Sequence, residues 1–136
     1  MKPKFMLDTN ICIYLMKHHP PEVAERFAVC YVGEVVISAI TLAELEHGVA
    51  CSGPALKQNR KALDGFLEEI TVADFDRLAA TAYGPARHAT RERKRDALDK
   101  LIAAHALALE LTLVTNNEAD FAAFPGLRVE NWVANH

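Results

Sequence analysis

Phe5-Met6-Leu7-Asp8-Thr9-Asn10 is the stretch from which the rest of the chain can be read. A short apolar run of strand type ends on an acid, and Ile11, Tyr14 and Leu15 then follow at the spacing of a helix with one buried face. The same alternation recurs downstream. Pro20-Pro21 opens a second helix, where a proline in the first turn forfeits no hydrogen bond, with Val23, Phe27 and Cys30 along its inner side. Gly33 precedes the β-branched run Val35-Val36-Ile37, a strand, and Thr41 to Val49 reads as a helix closing near Gly48. Past Ser52-Gly53-Pro54 a longer helix is predicted to about Leu67, and Ile70-Thr71-Val72 is a third strand. Asp74 is expected to cap a helix from Phe75 to about Arg91, kinked or interrupted at Gly84-Pro85. The clearest helix spans Ala97 to Leu109, with Leu98, Leu101, Ile102, Ala106 and Leu109 at three- and four-residue steps. Leu111 to Thr115 is a strand, and Val129 begins a last short one. Strands alternating with helices imply βαβ units and a parallel sheet.

The 136 residues suit one compact domain, residues 1–136, large enough to bury a core without staples. With 51% apolar and 24% charged residues the composition is that of a soluble globular protein. No apolar run approaches the ~20 residues of a transmembrane helix, so no membrane partner is expected. The apolar stretch before Asp8 is too short for the core of a signal peptide, which makes the cytoplasm the expected location. Cys12, Cys30 and Cys51 form no CxxC pair and read as reduced, partly buried apolar residues. The net charge of −3 does not advertise nucleic-acid binding, but an acidic metal site would subtract from any basic rim around it.

Four acids fall where such a site would form. In a parallel α/β sheet ligands gather beyond the carboxyl ends of the strands. Asp8 follows the first strand directly, and Asp120 lies five residues past Thr115, while Glu44 and Asp99 sit on helices, Asp99 in a first turn. Carboxylates brought together repel unless a proton or cation intervenes. Oxygen-only ligation by a few carboxylates and water is what Mg²⁺ or Mn²⁺ prefers, and a cation so held can polarise a phosphoryl oxygen. Each acid has a plainer reading too. Asp8 or Asp120 could cap a following turn, Asp96 and Asp99 could complement a helix N-terminus, and Glu44 could be a paired carboxylate beside Leu42 and Leu45.

With those residues in view the chain resembles the PIN-domain family, and within it the VapC toxins of bacterial toxin–antitoxin modules. The matching stretches are Met6-Leu7-Asp8-Thr9-Asn10, Thr41-Leu42-Ala43-Glu44-Leu45, Asp99-Lys100-Leu101-Ile102-Ala103-Ala104-His105-Ala106, and Val114-Thr115-Asn116-Asn117 followed by Asp120-Phe121. They stand in the family's order and spacing over essentially the entire chain. The resemblance implies a three-layer α/β/α fold with a central parallel sheet of about five strands. It also implies a Mg²⁺-dependent endoribonuclease, with Mn²⁺ a substitute, acting on structured RNA, often tRNA. The family acids map onto Asp8, Glu44, Asp99 and Asp120, with Asp8 and Asp99 as the metal ligands and Glu44 and Asp120 positioning water or a second ion. Thr9, Thr115 and Asn117 match supporting polar positions. A homodimer and a VapB-type antitoxin, whose tail fills the toxin groove, are the implied partners. Where many relatives carry a glycine-containing turn, this chain has Lys94-Arg95-Asp96-Ala97-Leu98, which sets a second acid beside Asp99.

A nuclease must also hold a polyanion. Lys57, Arg60 and Lys61 share a helical face by spacing, as do Arg87, Arg91 and Arg95, with Arg93 and Lys94 nearby; all are candidate phosphate contacts, against the alternative of solvated helix faces. Glu44 and His47 form a Glu-x-x-His pair, but a di-iron bundle needs two copies, so His47 reads as a surface residue and His105 as a core or supporting one. Two other functions compete: an aspartyl-phosphate protein with Asp8 as nucleophile, against which position 10 is Asn10 instead of a second acid, and a non-catalytic PIN-like RNA-binding module, which would be expected to have lost acids that this chain retains.

Overall fold

The computed structural model describes residues 2–94 and 96–133. Its strands are β1 (Phe5–Leu7), β2 (Val35–Ser38), β3 (Thr71–Ala73), β4 (Thr112–Val114) and β5 (Val129–Glu130). Its helices are α1 (Thr9–Lys17), α2 (Pro21–Ala28), α3 (Ala39–Ala50), α4 (Leu56–Glu69), α5 (Arg77–Ala89), α6 (Ala97–Ala108) and α7 (Glu118–Phe121). The strands pair in parallel in the order β3-β2-β1-β4-β5, Leu7 lying opposite both Ile37 and Val114.

Side chains alternate across this sheet, and both faces are covered, which is why its strands read as continuous apolar runs and not as alternating ones. Phe5, Leu7, Val35, Ile37 and Val114 point into one core with Ile11, Val23, Leu63 and Phe66 from α1, α2 and α4. Met6, Val36 and Leu113 point into the other, against Ala86, Ile102, Ala103, Ala106 and Phe121 from α5, α6 and α7. The three-layer fold with five parallel strands is therefore as expected.

Three local expectations need correction. The cap of α5 is Asp76, whose Oδ1 accepts from Ala79 N–H at 3.1 Å, not Asp74. The chain stays extended two residues longer so that Phe75 can pack edge-on against His105, with centroids 5.3 Å apart. Gly84-Pro85 lies inside α5 without ending it; both residues are exposed, so water can serve the carbonyl that Pro85 leaves unpaired. The buried side of α6 is not the stripe expected from its sequence: Leu98 and Leu109 are exposed, while Lys100 and His105 are buried among Ile102, Ala103, Ala104 and Ala106.

The order of the sheet decides where a site can form. β1 is central, with β2 on one side and β4 on the other, so the connections leave it in opposite directions and open a crevice at the carboxyl ends of β1 and β4. Asp8 and Thr115 are the residues immediately beyond those two ends.

Candidate active site

Asp8 takes its position from both elements it joins. Its backbone is extended, and its Oδ1 accepts the Ile11 N–H at 3.0 Å, satisfying one of the unpaired donors that open α1. The capping role read as an alternative is thus real, and it engages only one oxygen. The second, Oδ2, accepts the hydroxyl proton of Thr115, which is fully buried at the end of β4. Thr115 Oγ1 in turn accepts the Asn117 N–H at 2.9 Å, and Asn117 Nδ2 donates to Asp120 Oδ2. Beside Asp8, Thr9 Oγ1 donates to Glu44 Oε1 at 2.8 Å, tying the start of α1 to α3. Thr9, Thr115 and Asn117, matched from sequence as supports, are therefore the residues that link Asp8, Glu44 and Asp120.

Asp99 completes the group from the first turn of α6. Its carboxyl is pushed up to about 6, first by burial and then by the negative charges of Asp96, Glu44, Asp8 and Asp120. Asp8 is raised as well, chiefly by burial, with Glu44 adding to it and the Thr115 and Ile11 hydrogen bonds opposing it. The charges of Glu44, Asp8 and Asp120, all remote in sequence, thus act together on Asp99. Asp96 takes the place of a glycine in conformation, with φ 71°, and its side chain makes no capping bond to α6. Instead of complementing the helix, it adds the largest like charge to Asp99.

The donors are oxygen throughout, as a hard divalent cation requires. Among the described residues no three His, Cys, Asp or Glu side chains come close enough to share one ion directly. The arrangement fits a cation held by one or two carboxylates, with water in the remaining positions, which is how Mg²⁺ is commonly bound.

The basic residues divide. Arg60 is bound to Glu46 on α3 and, at 3.2 Å, to Asp64, so it is not the free phosphate contact expected of the trio with Lys57 and Lys61; a partner fourteen residues away in sequence satisfies it. Arg87 lies over the Tyr83 ring at 5.8 Å, and Arg91, Lys94 and the wall of Tyr83 join it around a cavity of about 350 Å³. Arg95 lies outside the described residues. Two basic residues take places at the site that were not read from the sequence. Arg93 pairs with Asp120, and Lys100, buried beside Asp99 in sequence, donates to the Thr90 carbonyl at 2.7 Å. Arg93 was legible only as a neighbour of the cationic cluster, and Lys100 carried no periodic signal. His47 is exposed beside Cys51, and His105 is a buried partner of Ser38 Oγ at 2.8 Å, each as read. All three cysteines are free, although Cys51 is exposed and not partly buried.

A parallel sheet with carboxylates from four segments gathered at its central crevice is the ground plan of the PIN domain, and a family profile for that domain matches residues 5–127; the chain belongs to the PIN-domain family. Within it the likeness runs to the VapC ribonucleases. The tRNA(fMet)-specific endonuclease VapC of Shigella flexneri is 42% identical over 131 residues, 95% of this chain and 98% of the relative. DNA-bound VapBC from Salmonella typhimurium superposes with a TM-score of 0.88 at 38% identity, covering 96% of this chain and 99% of that one. VapBC2 from Rickettsia felis, bound to a DNA fragment from its promoter, gives 0.86 at 37% identity over 95% of this chain and 98% of that one.

Proposed function

We propose that this chain is a Mg²⁺-dependent endoribonuclease, the toxin of a VapBC-type toxin–antitoxin pair, hydrolysing phosphodiesters of RNA and most readily of tRNA. The observation that carries this reading is the chain of hydrogen bonds from Asp8 through Thr115 and Asn117 to Asp120, with Glu44 held beside it by Thr9 and the charges of all three acids acting on Asp99. Likeness over nearly full length to a tRNA(fMet)-specific endonuclease and to VapBC assemblies supports the substrate class and the partner, a VapB-type antitoxin. The active unit on this reading is a cytoplasmic homodimer.

Asp8 and Asp99 would hold the cation, with Mn²⁺ an effective substitute. The cation supplies Lewis-acid polarisation of the scissile phosphoryl oxygen. Thr115 and the α1 N-terminus keep the Asp8 carboxylate in one orientation. Glu44, steadied by Thr9, and Asp120, steadied by Asn117, orient the attacking water. Arg87 and Arg91 give the RNA backbone a cationic track on α5. An aspartyl-phosphate role for Asp8 is disfavoured because it leaves Glu44, Asp120 and Asp99, on which the charges of the other two act, without a function.

The test is to incubate purified protein with total RNA and Mg²⁺ and sequence the new ends. Discrete cuts, concentrated in tRNA and abolished by EDTA, are expected. Asp8→Asn and Asp99→Asn should each lower the rate by at least about a hundredfold while the fold survives, the scale set by removing one preorganised electrostatic group from an active site. The amide introduced by Asp8→Asn keeps a carbonyl oxygen for the Ile11 N–H, so loss of activity would not be loss of structure. Undiminished cleavage by both variants would refute the site.

A further inference from the structure

The sequence of acids leaves Arg93 without a role, yet the structure seats it on the cluster. Arg93 lies on the link between α5 and α6, and its guanidinium pairs with Asp120 Oδ1, the oxygen that Asn117 leaves free. The base of that link is fixed. Thr90 Oγ1 donates to the Ala86 carbonyl at 2.9 Å, and the Thr90 carbonyl accepts both Lys100 Nζ at 2.7 Å and the Arg93 N–H at 2.9 Å. The head is open: the Arg93 side chain remains 42% exposed. Arg93, Asp96 and Asp120 line both the small cavity that reaches Asp99 and an open cleft of about 490 Å³ outside it. The guanidinium therefore stands at the boundary between the acids and solvent, on the carboxylate that serves the cluster by positioning water.

A guanidinium seated on Asp120 and a divalent cation among the same acids repel each other and compete for the same negative charge. We propose that Arg93 is a built-in counter-ion of the acid cluster, competing through Asp120 with the divalent cation that the acids bind and released from Asp120 when that cation enters. The inference rests on reading the cluster as a divalent-cation site. The arginine neutralises part of the like-charge crowding while the site lacks its cation, and thereby lowers the site's affinity for that cation. Its exposed, single-partner attachment makes the exchange reversible, and the anchored base returns it to the same carboxylate.

Mn²⁺ binding to the full-length protein, measured without RNA by the paramagnetic resonance signal of the free ion, tests this directly. Arg93→Gln should bind Mn²⁺ at least about fivefold more tightly, and Arg93→Lys should fall between it and the unaltered protein, since a point charge lacks the guanidinium fork. Lys94→Gln removes the same charge from the same link without touching Asp120 and should change affinity by less than about twofold, as expected for an exposed charge screened by solvent. In an Asp120→Asn background the Arg93→Gln effect should vanish. Equal affinity in Arg93→Gln and the unaltered protein, or an equal gain from Lys94→Gln, overturns the counter-ion and leaves the cation site standing. Absence of Mn²⁺ binding in every variant overturns the cation site itself and the counter-ion with it.

Discussion

The acids on the sheet side of the site and those on the α6 side are held by different means. Asp8 and Glu44 accept hydroxyl and backbone protons from Thr115, Thr9 and Ile11, all neutral donors supplied by the strand ends and the helix that follows. Asp99 stands instead among the charges of Asp96, Glu44, Asp8 and Asp120, and Asp120 is steadied by the cationic Arg93. A neutral donor fixes the direction of a carboxylate and leaves its charge available. Surrounding like charge does the reverse, raising the affinity for any cation. The sheet side is built to aim, the α6 side to attract.

Thr115→Val should show the largest effect on stability. It removes the proton donated to the buried Asp8 and the acceptor of the Asn117 N–H, a loss of about 2 kcal/mol for a hydrogen bond to a charged group. Denaturant unfolding reads this, and a stability unchanged within error would mean that Asp8 is not held from the sheet side. Activity should fall about tenfold or more at saturating Mg²⁺, since the carboxylate loses its orientation.

The α6 side should respond to pH. Because Asp99 is raised to about 6, the folded protein keeps a proton there between about pH 4 and 6 that the unfolded chain has released. Stability of the cation-free protein should therefore fall as pH rises through that window and stay low above it. After discounting for the solvent that reaches Asp99, the loss is about 1 kcal/mol. Asp99→Asn should reduce the pH dependence to what the other titrating groups, Asp8 among them, contribute, and Mg²⁺ should restore stability at pH 7 by favouring the charged form. No difference between the unaltered protein and Asp99→Asn in the slope of melting temperature between about pH 4 and 6 would contradict the crowding of acids around Asp99.

Asp96→Gly separates strain from charge. Glycine adopts φ 71° without penalty, and the change also removes the largest like charge on Asp99, so a gain of about 1 kcal/mol is expected at pH 7. No gain would show that Asp96 is compensated in its present conformation.

The smallest effect is expected at Arg60. Its guanidinium already serves Glu46 and Asp64, so Arg60→Ala should leave RNA affinity and its salt dependence unchanged, whereas Arg87→Ala should reduce the salt slope by about one. Equal losses from both would return Arg60 to the RNA-binding face.

The sequence by itself determined the alternation of the main strands and helices along the chain and the placing of Asp8, because each depends on periodicity or on residues adjacent in the chain. Phe5-Met6-Leu7-Asp8 is legible because a strand end and a helix cap lie within four residues of each other. Only the tertiary structure decided that Thr115 serves Asp8 across 107 residues, that Arg93 and not the adjacent Lys94 pairs with Asp120, and that Glu46 takes Arg60. It also decided that Lys100, and not Leu98, is buried on α6. Charge and hydrogen bonding have no period along a chain. Their partners are chosen by distance in the fold, and for a lysine in a helix that choice rests on a carbonyl another element brings within reach.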